Sequence, residues 1–189
     1  MDIKKKVILA SGSPRRRELL TEAGIPFVID VSDVDENVEG LPVEMVAILA
    51  ERKARAVAEK YSEGLVIGAD TLVALGDRAL GKPEDDDDAR RMLRSLSGHT
   101  HDVLTGVCVI DAETGKTLVT TVRSGVVFRE TTDEEIEDYL ATGEHTDKAG
   151  AYAIQGLGGR FVEGFEGSRT NIIGLPMEEL TEMLAQMAD

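Results

Sequence analysis

Strand-like and helix-like stretches alternate along the whole chain, and this alternation constrains the fold more than any single motif does. Short apolar runs such as KVILAS (residues 6–11) and LVIGADTLVAL (residues 65–75) are each followed, sooner or later, by a segment with helical spacing of its apolar residues. A chain of this kind folds as an α/β protein in which helices cover a sheet. No internal repeat interrupts the pattern. With 189 residues, a sizeable core can form without disulfides or metals, so one domain over 1–189 is expected, with two closely packed lobes as the alternative organisation.

Local signals place the elements. Ser13 is a suitable N-cap and Pro14 a suitable first residue for a helix through RRRELLTEAG that stops at Gly24 and Pro26. FVIDVSDV is a short extended stretch leading into an acidic loop. Pro42 opens a second helix with Val43, Val46, Ala47, Ala50, Ala54, Val57 and Ala58 toward the core and an end near residues 62–64. LVIGADTLVAL and RALGKP form a hairpin turned by Gly76 and Asp77. DDDDARRMLRSLSG is a third helix, its aspartates crowding the positive end of the helix dipole; that placement explains the acidic run better than a metal site does. HDVLTGVCVID and TLVTTVRSGVVFRE pair as long strands. Thr132 and Glu135 mark a capping box for the next helix, and the glycine-dense residues 147–176 read as loop, short strand and turn before a terminal helix from Pro176.

Bulk properties exclude several functions. The formal charge of −15, from 36 acidic against 21 basic side chains, argues against a broad nucleic-acid surface, although a local basic pocket is compatible with it. No apolar stretch approaches the roughly 20 residues that span a bilayer, and the basic start is followed by too short an apolar run for a signal peptide. A soluble cytoplasmic protein without membrane contact is therefore expected. The single cysteine, Cys108, excludes an internal disulfide and reads as a core residue.

Four places combine polar chemistry with an awkward setting. In VILASGSPRRREL, Ser11, Gly12 and Ser13 let backbone N–H groups approach an anion, and Arg15 and Arg16 add planar forks suited to phosphate oxygens. Cations at a helix start oppose the dipole unless an anion lies between them and the donors; the alternative is three solvated arginines, and Arg17 is assigned to solvent. Asp70 lies within an apolar run, where a carboxylate must be paired or coordinated, so it is either a metal ligand or general base with Thr71 beside it, or a turn or bulge residue near Gly68. Lys82 of GKP can be aimed by its short loop, whereas Lys53 on a helix is, without context, a solvated lysine. Gln155 precedes a glycine-rich turn; its amide suits a base edge but equally suits an ordinary loop. His99 and His101 lack a third ligand at metal-site spacing. Together these groups suggest hydrolysis or transfer at a nucleotide's phosphates, and the absence of GxxxxGK[ST] argues against an ordinary phosphate-loop NTPase.

The segments LASGSPRRRELL, DVDE, ERKA, GADTLV, GKP, LSGHTHDVLTG, DKAGAYAIQGLGG and TNIIGLP resemble, in this order and over about residues 7–178, those of the Maf proteins. These are nucleoside triphosphate pyrophosphatases also called septum-formation inhibitors. The resemblance implies a long mixed sheet flanked by helices that forms a central cleft, similar to inosine triphosphate pyrophosphatases. It implies cleavage between the α and β phosphates with a divalent cation (Mg²⁺ or Mn²⁺), frequent homodimers, and a role in pool sanitation or cell-division arrest. By motif, Asp70 is the proton acceptor for the attacking water and also touches metal, Glu36 is a metal ligand, and Lys53 and Lys82 stabilise charge. Ser11, Arg15 and Arg16 hold the triphosphate, and Arg15, Thr71 and Gln155 match positions linked to substrate choice. GADT with YAIQG resembles the branch preferring dTTP and UTP over 7-methylguanosine triphosphate. The alternative is a nucleotide-sensing module without turnover that acts through a protein partner; the presence of Asp70, Lys53 and Lys82 favours the enzyme.

Overall fold

The computed structural model describes residues 3–187. Strands β1 (Val7–Leu9), β2 (Phe27–Ile29), β3 (Leu65–Leu75), β4 (Arg78–Leu80), β5 (Thr100–Asp111), β6 (Thr117–Phe128) and β7 (Val162–Glu166) form one sheet in the order β2-β1-β3-β5-β6-β7, with β4 paired to β3. Among the described residues six α-helices accompany them: α1 (Pro14–Glu22), α2 (Pro42–Ala58), α3 (Asp86–Leu96), α4 (Asp133–Leu140), α5 (Arg169–Ile173) and α6 (Met177–Met187). The sheet is mixed, because β1 runs parallel to both β2 and β3 while β4 and β7 pair antiparallel with β3 and β6. The alternating sequence therefore gives the expected α/β fold with a mixed sheet and flanking helices. Two compact units are distinguished, one of Met1–Asp70, Thr105–Val122 and Gly174–Asp189, the other of Thr71–Leu104 and Arg123–Ile173.

In the first unit, β1 lies between two parallel neighbours and all three of its residues are buried, whereas the edge strand β2 leaves Val28 and Ile29 exposed. Parallel pairing of β1 with β2 requires a crossover, which α1 supplies. Helix α2 presents Val46, Leu49, Ala50, Ala54, Val57 and Ala58 to the core, a stripe at spacings of three and four. Val43, expected on that stripe, is 46% exposed and Ala47 is only half-buried, whereas Pro42 and Val46 are buried. The helix also stops at Ala58 rather than near residues 62–64: the N–H groups of Glu59, Lys60 and Tyr61 close back on Arg55, Val57 and Ala58 carbonyls, and Asp30 holds both the Lys60 ammonium (2.8 Å) and the Tyr61 hydroxyl (3.2 Å).

Two glycines set how close α2 comes to the sheet. A Cβ on Gly68 of β3 would lie 2.2 Å from the Ala50 carbonyl oxygen, and one on Gly106 of β5 would lie 2.1 Å from that of Val46. Helix backbone thus rests directly on strand backbone at both points, and any larger residue at either has to displace α2. Cys108 is fully buried, as expected, and burial raises its thiol pKa to about 12.

The second unit packs α3 and α4 over an aromatic core in which Phe128 meets Tyr152 (4.7 Å between centroids), His101 (4.9 Å) and Phe161 (5.9 Å). The aspartate run is a helix start, as expected, with Asp85 as N-cap accepting from the Asp88 N–H at 2.7 Å. Thr132 and Glu135 form the expected capping box. The glycine-dense stretch is more ordered than loop, strand and turn. The 3₁₀ turn Glu144–Asp147 leads into it, and it carries two more (Ala149–Ala151 and Leu157–Phe161), then β7, then the short helix α5, started by the Ser168 hydroxyl accepting from the Asn171 N–H at 3.2 Å. His99 and His101 do not act as a pair. The His99 ring bonds the Ser97 carbonyl, while His101 is buried and shares a 2.7 Å hydrogen bond with the Tyr152 hydroxyl.

Burial lowers the His101 pKa to about 4, against 6.5 when unburied. A depressed pKa makes the stabilisation complete above about pH 6.5 and progressively lost as pH falls toward 4, because the unfolded chain takes up the proton first. Between pH 7 and pH 5 this one residue removes about 2 kcal/mol. His101→Gln, which keeps a polar partner for Tyr152 but does not titrate, is expected to flatten the fall in unfolding free energy by that amount in urea titrations at the two pH values.

Candidate functional site

The site is built on β3. Gly68 and Asp70 are two residues apart on one strand face, so the glycine that admits α2 sends the Asp70 side chain toward the same helix. There it meets Lys53, which stands one turn along from Ala50, the residue whose carbonyl contacts Gly68. The Lys53 ammonium donates to Asp70 Oδ1 at 2.7 Å and lies 2.8 Å from Glu36 Oε1. The Lys53 and Asp70 side chains are only 11% and 12% exposed while Glu36 is 59% exposed, so a nearly buried pair reaches solvent through one exposed carboxylate. Neither the solvated reading of Lys53 nor the strand-end reading of Asp70 holds: both residues are drawn inward because at Gly68 the backbone of α2 rests directly on that of β3.

Glu36 comes from the irregular segment between β2 and α2, and Arg52 holds it there. The Arg52 guanidinium donates to the carbonyls of Asp35 (2.6 Å) and Asn37 (3.4 Å), on either side of Glu36, while the Asn37 N–H donates to the Asp35 carboxylate at 2.9 Å. Arg52 was not singled out in the sequence, although its place beside Lys53 in ERKA is the signal that could have found it: consecutive helix residues, one gripping the loop backbone and one the loop carboxylate.

The arginine-rich start of α1 lies in the same unit. Ser13 occupies the N-cap position and Pro14 the first turn, but the Ser13 side chain makes no capping bond and the first turn has no acidic residue, so the helix dipole is left without a local counter-charge. Instead the Ser11 hydroxyl accepts from the Ser13 N–H (3.3 Å) and from the Arg16 guanidinium (3.0 Å), and Arg16 Nε donates to the Gly174 carbonyl at 2.8 Å. Burial lowers the Arg16 pKa to about 10; Asp70 and Glu36 oppose that shift and Arg15 adds to it, so the cation feels both carboxylates of the Lys53 cluster. Arg16 stays charged at neutral pH. Arg17, assigned to solvent, is half-buried and borders a shallow depression with Pro14, Glu18, Thr21 and Phe27, on a different side chain set from that of Arg16.

The structure thus brings Ser11, Arg16, Glu36, Lys53 and Asp70 together, with Arg15 electrostatically coupled to Arg16. Thr71, Lys82 and Gln155 belong to the second unit. Thr71 follows Asp70 directly and is half-buried; in a continuous strand its side chain leaves the opposite face, so it is beside Asp70 in sequence and not on its face. Lys82 and Gln155 are exposed.

The chain that gathers these charges on a strand, a helix and a helix start matches a family model described as Maf-like protein over residues 6–187. The chain belongs to the Maf family. Maf relatives of known name include a dTTP/UTP pyrophosphatase of Moorella thermoacetica, 52% identical over 182 residues, covering 95% of this chain and 94% of that one. Another from Desulforamulus reducens is 49% identical over 182 residues, covering 95% of each. A third, from Bacillus cereus strain G9842, is 49% identical over 184 residues, covering 96% of this chain and 95% of its own.

Removing one partner of a nearly buried ion pair leaves the other uncompensated. Lys53→Met is therefore expected to lower the unfolding free energy by about 2 kcal/mol. The double variant Lys53→Met with Asp70→Leu should recover most of that loss. Urea titrations of the two single variants and the double variant give the coupling directly.

Proposed function

We propose that this Maf protein hydrolyses dTTP and UTP, and modified pyrimidine triphosphates of the same shape, to the nucleoside monophosphate and pyrophosphate. The observation that carries the proposal is the Asp70 carboxylate, held through Oδ1 by Lys53 at 2.7 Å in a site that also contains an arginine fork. The names of the relatives, at about half identity over nearly the full chain, support the same reaction and the same bases.

Each group has a definite task. With Oδ1 engaged by Lys53, Asp70 takes the proton of the attacking water on Oδ2. The water oxygen bonds to one of the two phosphorus atoms flanking the α–β bridge, the bond from that phosphorus to the bridging oxygen breaks, and the bridging oxygen leaves with its electron pair on the other product. Arg15 and Arg16, with the Ser11 hydroxyl and the uncapped start of α1, hold the triphosphate and offset the charge that develops on the leaving group. Lys82 is assigned to the same charge, and Thr71 and Gln155 to the base.

A divalent cation fits this donor set. Asp70 and Glu36 already share one cation, the Lys53 ammonium, and two carboxylates completed by substrate oxygens and water suit Mg²⁺ or Mn²⁺. Among the described residues no group of three or more His, Cys, Asp or Glu is placed to hold a metal. When bound, such an ion neutralises part of the triphosphate charge and polarises the bond that breaks. No helix among the described residues is long and apolar enough to cross a membrane, and action on the cytoplasmic nucleotide pool, as a homodimer, completes the proposal.

The test is a panel of nucleoside triphosphates with Mg²⁺ or Mn²⁺, read as released pyrophosphate. dTTP and UTP are expected to lead. A panel led by purine or 7-methylguanosine triphosphates overturns the pyrimidine assignment, and binding without turnover of any triphosphate leaves the nucleotide-sensing reading instead. Asp70→Asn is expected to bind dTTP and lose at least about a hundredfold in kcat, the range of a general base. Near-normal turnover removes Asp70 from that role.

A further inference from the structure

The segment Ile154-Gln155-Gly156-Leu157-Gly158-Gly159 is held by a carboxylate that none of the motif assignments uses. Glu144, at the start of the 3₁₀ turn Glu144–Asp147, accepts three hydrogen bonds: from the Leu157 N–H on Oε1 (2.9 Å), and from the Gly158 N–H (3.0 Å) and the Tyr139 hydroxyl (2.8 Å) on Oε2. Two consecutive backbone donors on the two oxygens of one carboxylate fix both the position and the tilt of the peptide between them. Burial pushes the Glu144 pKa up, but the Gly158 and Leu157 N–H groups and the Tyr139 hydroxyl together bring it below the usual carboxylate value.

The glycines fit this arrangement. A Cβ on Gly156 would lie 1.9 Å from Glu144 Oε1, one on Gly158 would lie 3.0 Å from the Tyr139 hydroxyl, and one on Gly159 would lie 2.6 Å from the Ile154 carbonyl oxygen. The absence of side chains at these positions lets the backbone close onto the carboxylate. Gln155, exposed like Gly156 and Leu157, is covalently joined to Gly156 at the point of closest approach.

We infer that Glu144, oriented by Tyr139, is a positioning residue for base recognition: it holds the backbone that presents the Gln155 amide to the nucleobase. The inference rests on the assignment of Gln155 to the base in the proposed function. Glu144 does not touch the phosphates or the water, so its loss acts on binding and on the choice of base rather than on the chemical step. Replacing the carboxylate by an amide puts an NH₂ group against N–H donors, which weakens the anchor without removing bulk.

The experiment uses the full chain and compares Glu144→Gln, Tyr139→Phe and Gln155→Ala, with dTTP and dGTP as substrates and amide hydrogen exchange at Leu157 and Gly158 as a second reading. Glu144→Gln is expected to raise KM for dTTP about tenfold with kcat within about threefold of the parent, to reduce the dTTP over dGTP preference in kcat/KM, and to speed exchange at both amides. Tyr139→Phe, which loses one donor, is expected to move KM in the same direction by about threefold and decides the matter alone if Glu144→Gln does not fold. Faster exchange with unchanged KM and preference, while Gln155→Ala alters both, overturns the role of Glu144 and leaves that of Gln155 intact. Unchanged KM and preference in Gln155→Ala overturns the assignment of Gln155 to the base, and the role of Glu144 with it.

Discussion

The contact on which the candidate site depends is that of α2 against β3 and β5, backbone to backbone, at Gly68 and Gly106. A helix separated from a sheet by a layer of side chains would carry Lys53 several ångströms farther from the strand. Seated at the glycines, α2 delivers the ammonium within 2.7 Å of Asp70 and makes the pair nearly inaccessible to water. Burial is tolerated because each charge has its opposite, and because Glu36 gives the ammonium a second partner on the solvent side. The same packing thus serves the core and the chemistry.

Around this pair the chain organises its few useful cations against a large excess of acid. Most of its other ion pairs, such as Arg91 with Asp88 or Arg94 with Asp133, are exposed and contribute little to stability. Arg16 differs: it is anchored by the Ser11 hydroxyl and the Gly174 carbonyl, is partly desolvated, and feels Asp70 and Glu36 across the cluster. This cation stands at a helix start whose first turn has no acidic residue. The acidic excess of the chain, 36 Asp and Glu against 21 Lys and Arg, disfavours broad polyanions.

The second unit solves a different problem, that of ordering a segment with too many glycines to order itself. It does so with side chains from outside the segment. Glu144 and Tyr139 grip residues 157 and 158, and the buried Asn171 amide donates to the Val103 carbonyl and the Ser124 hydroxyl, each at 3.0 Å. Glycine contributes close approach, and the fixed hydrogen-bonding groups supply the rigidity that glycine lacks.

Much of this was readable in the amino-acid order alone. Alternating apolar runs and helical spacings determined the α/β class, Pro14 and Pro42 the starts of two helices, Thr132 with Glu135 a cap, and the aspartate run a helix N-terminus, because these depend on local backbone geometry and on neighbours a few residues away. The motifs of the first 70 residues likewise marked Ser11, Arg16, Glu36, Lys53 and Asp70. What the order could not decide was partnership: that Lys53 is buried against Asp70, that Arg52 clamps the loop of Glu36, that Val43 lies outside the core, that His101 is an aromatic-core residue, and that Glu144 holds the glycine-rich turn. Each of these is set by which surfaces meet and how closely, a property of backbone packing between residues distant in the chain, and only the tertiary structure fixes it.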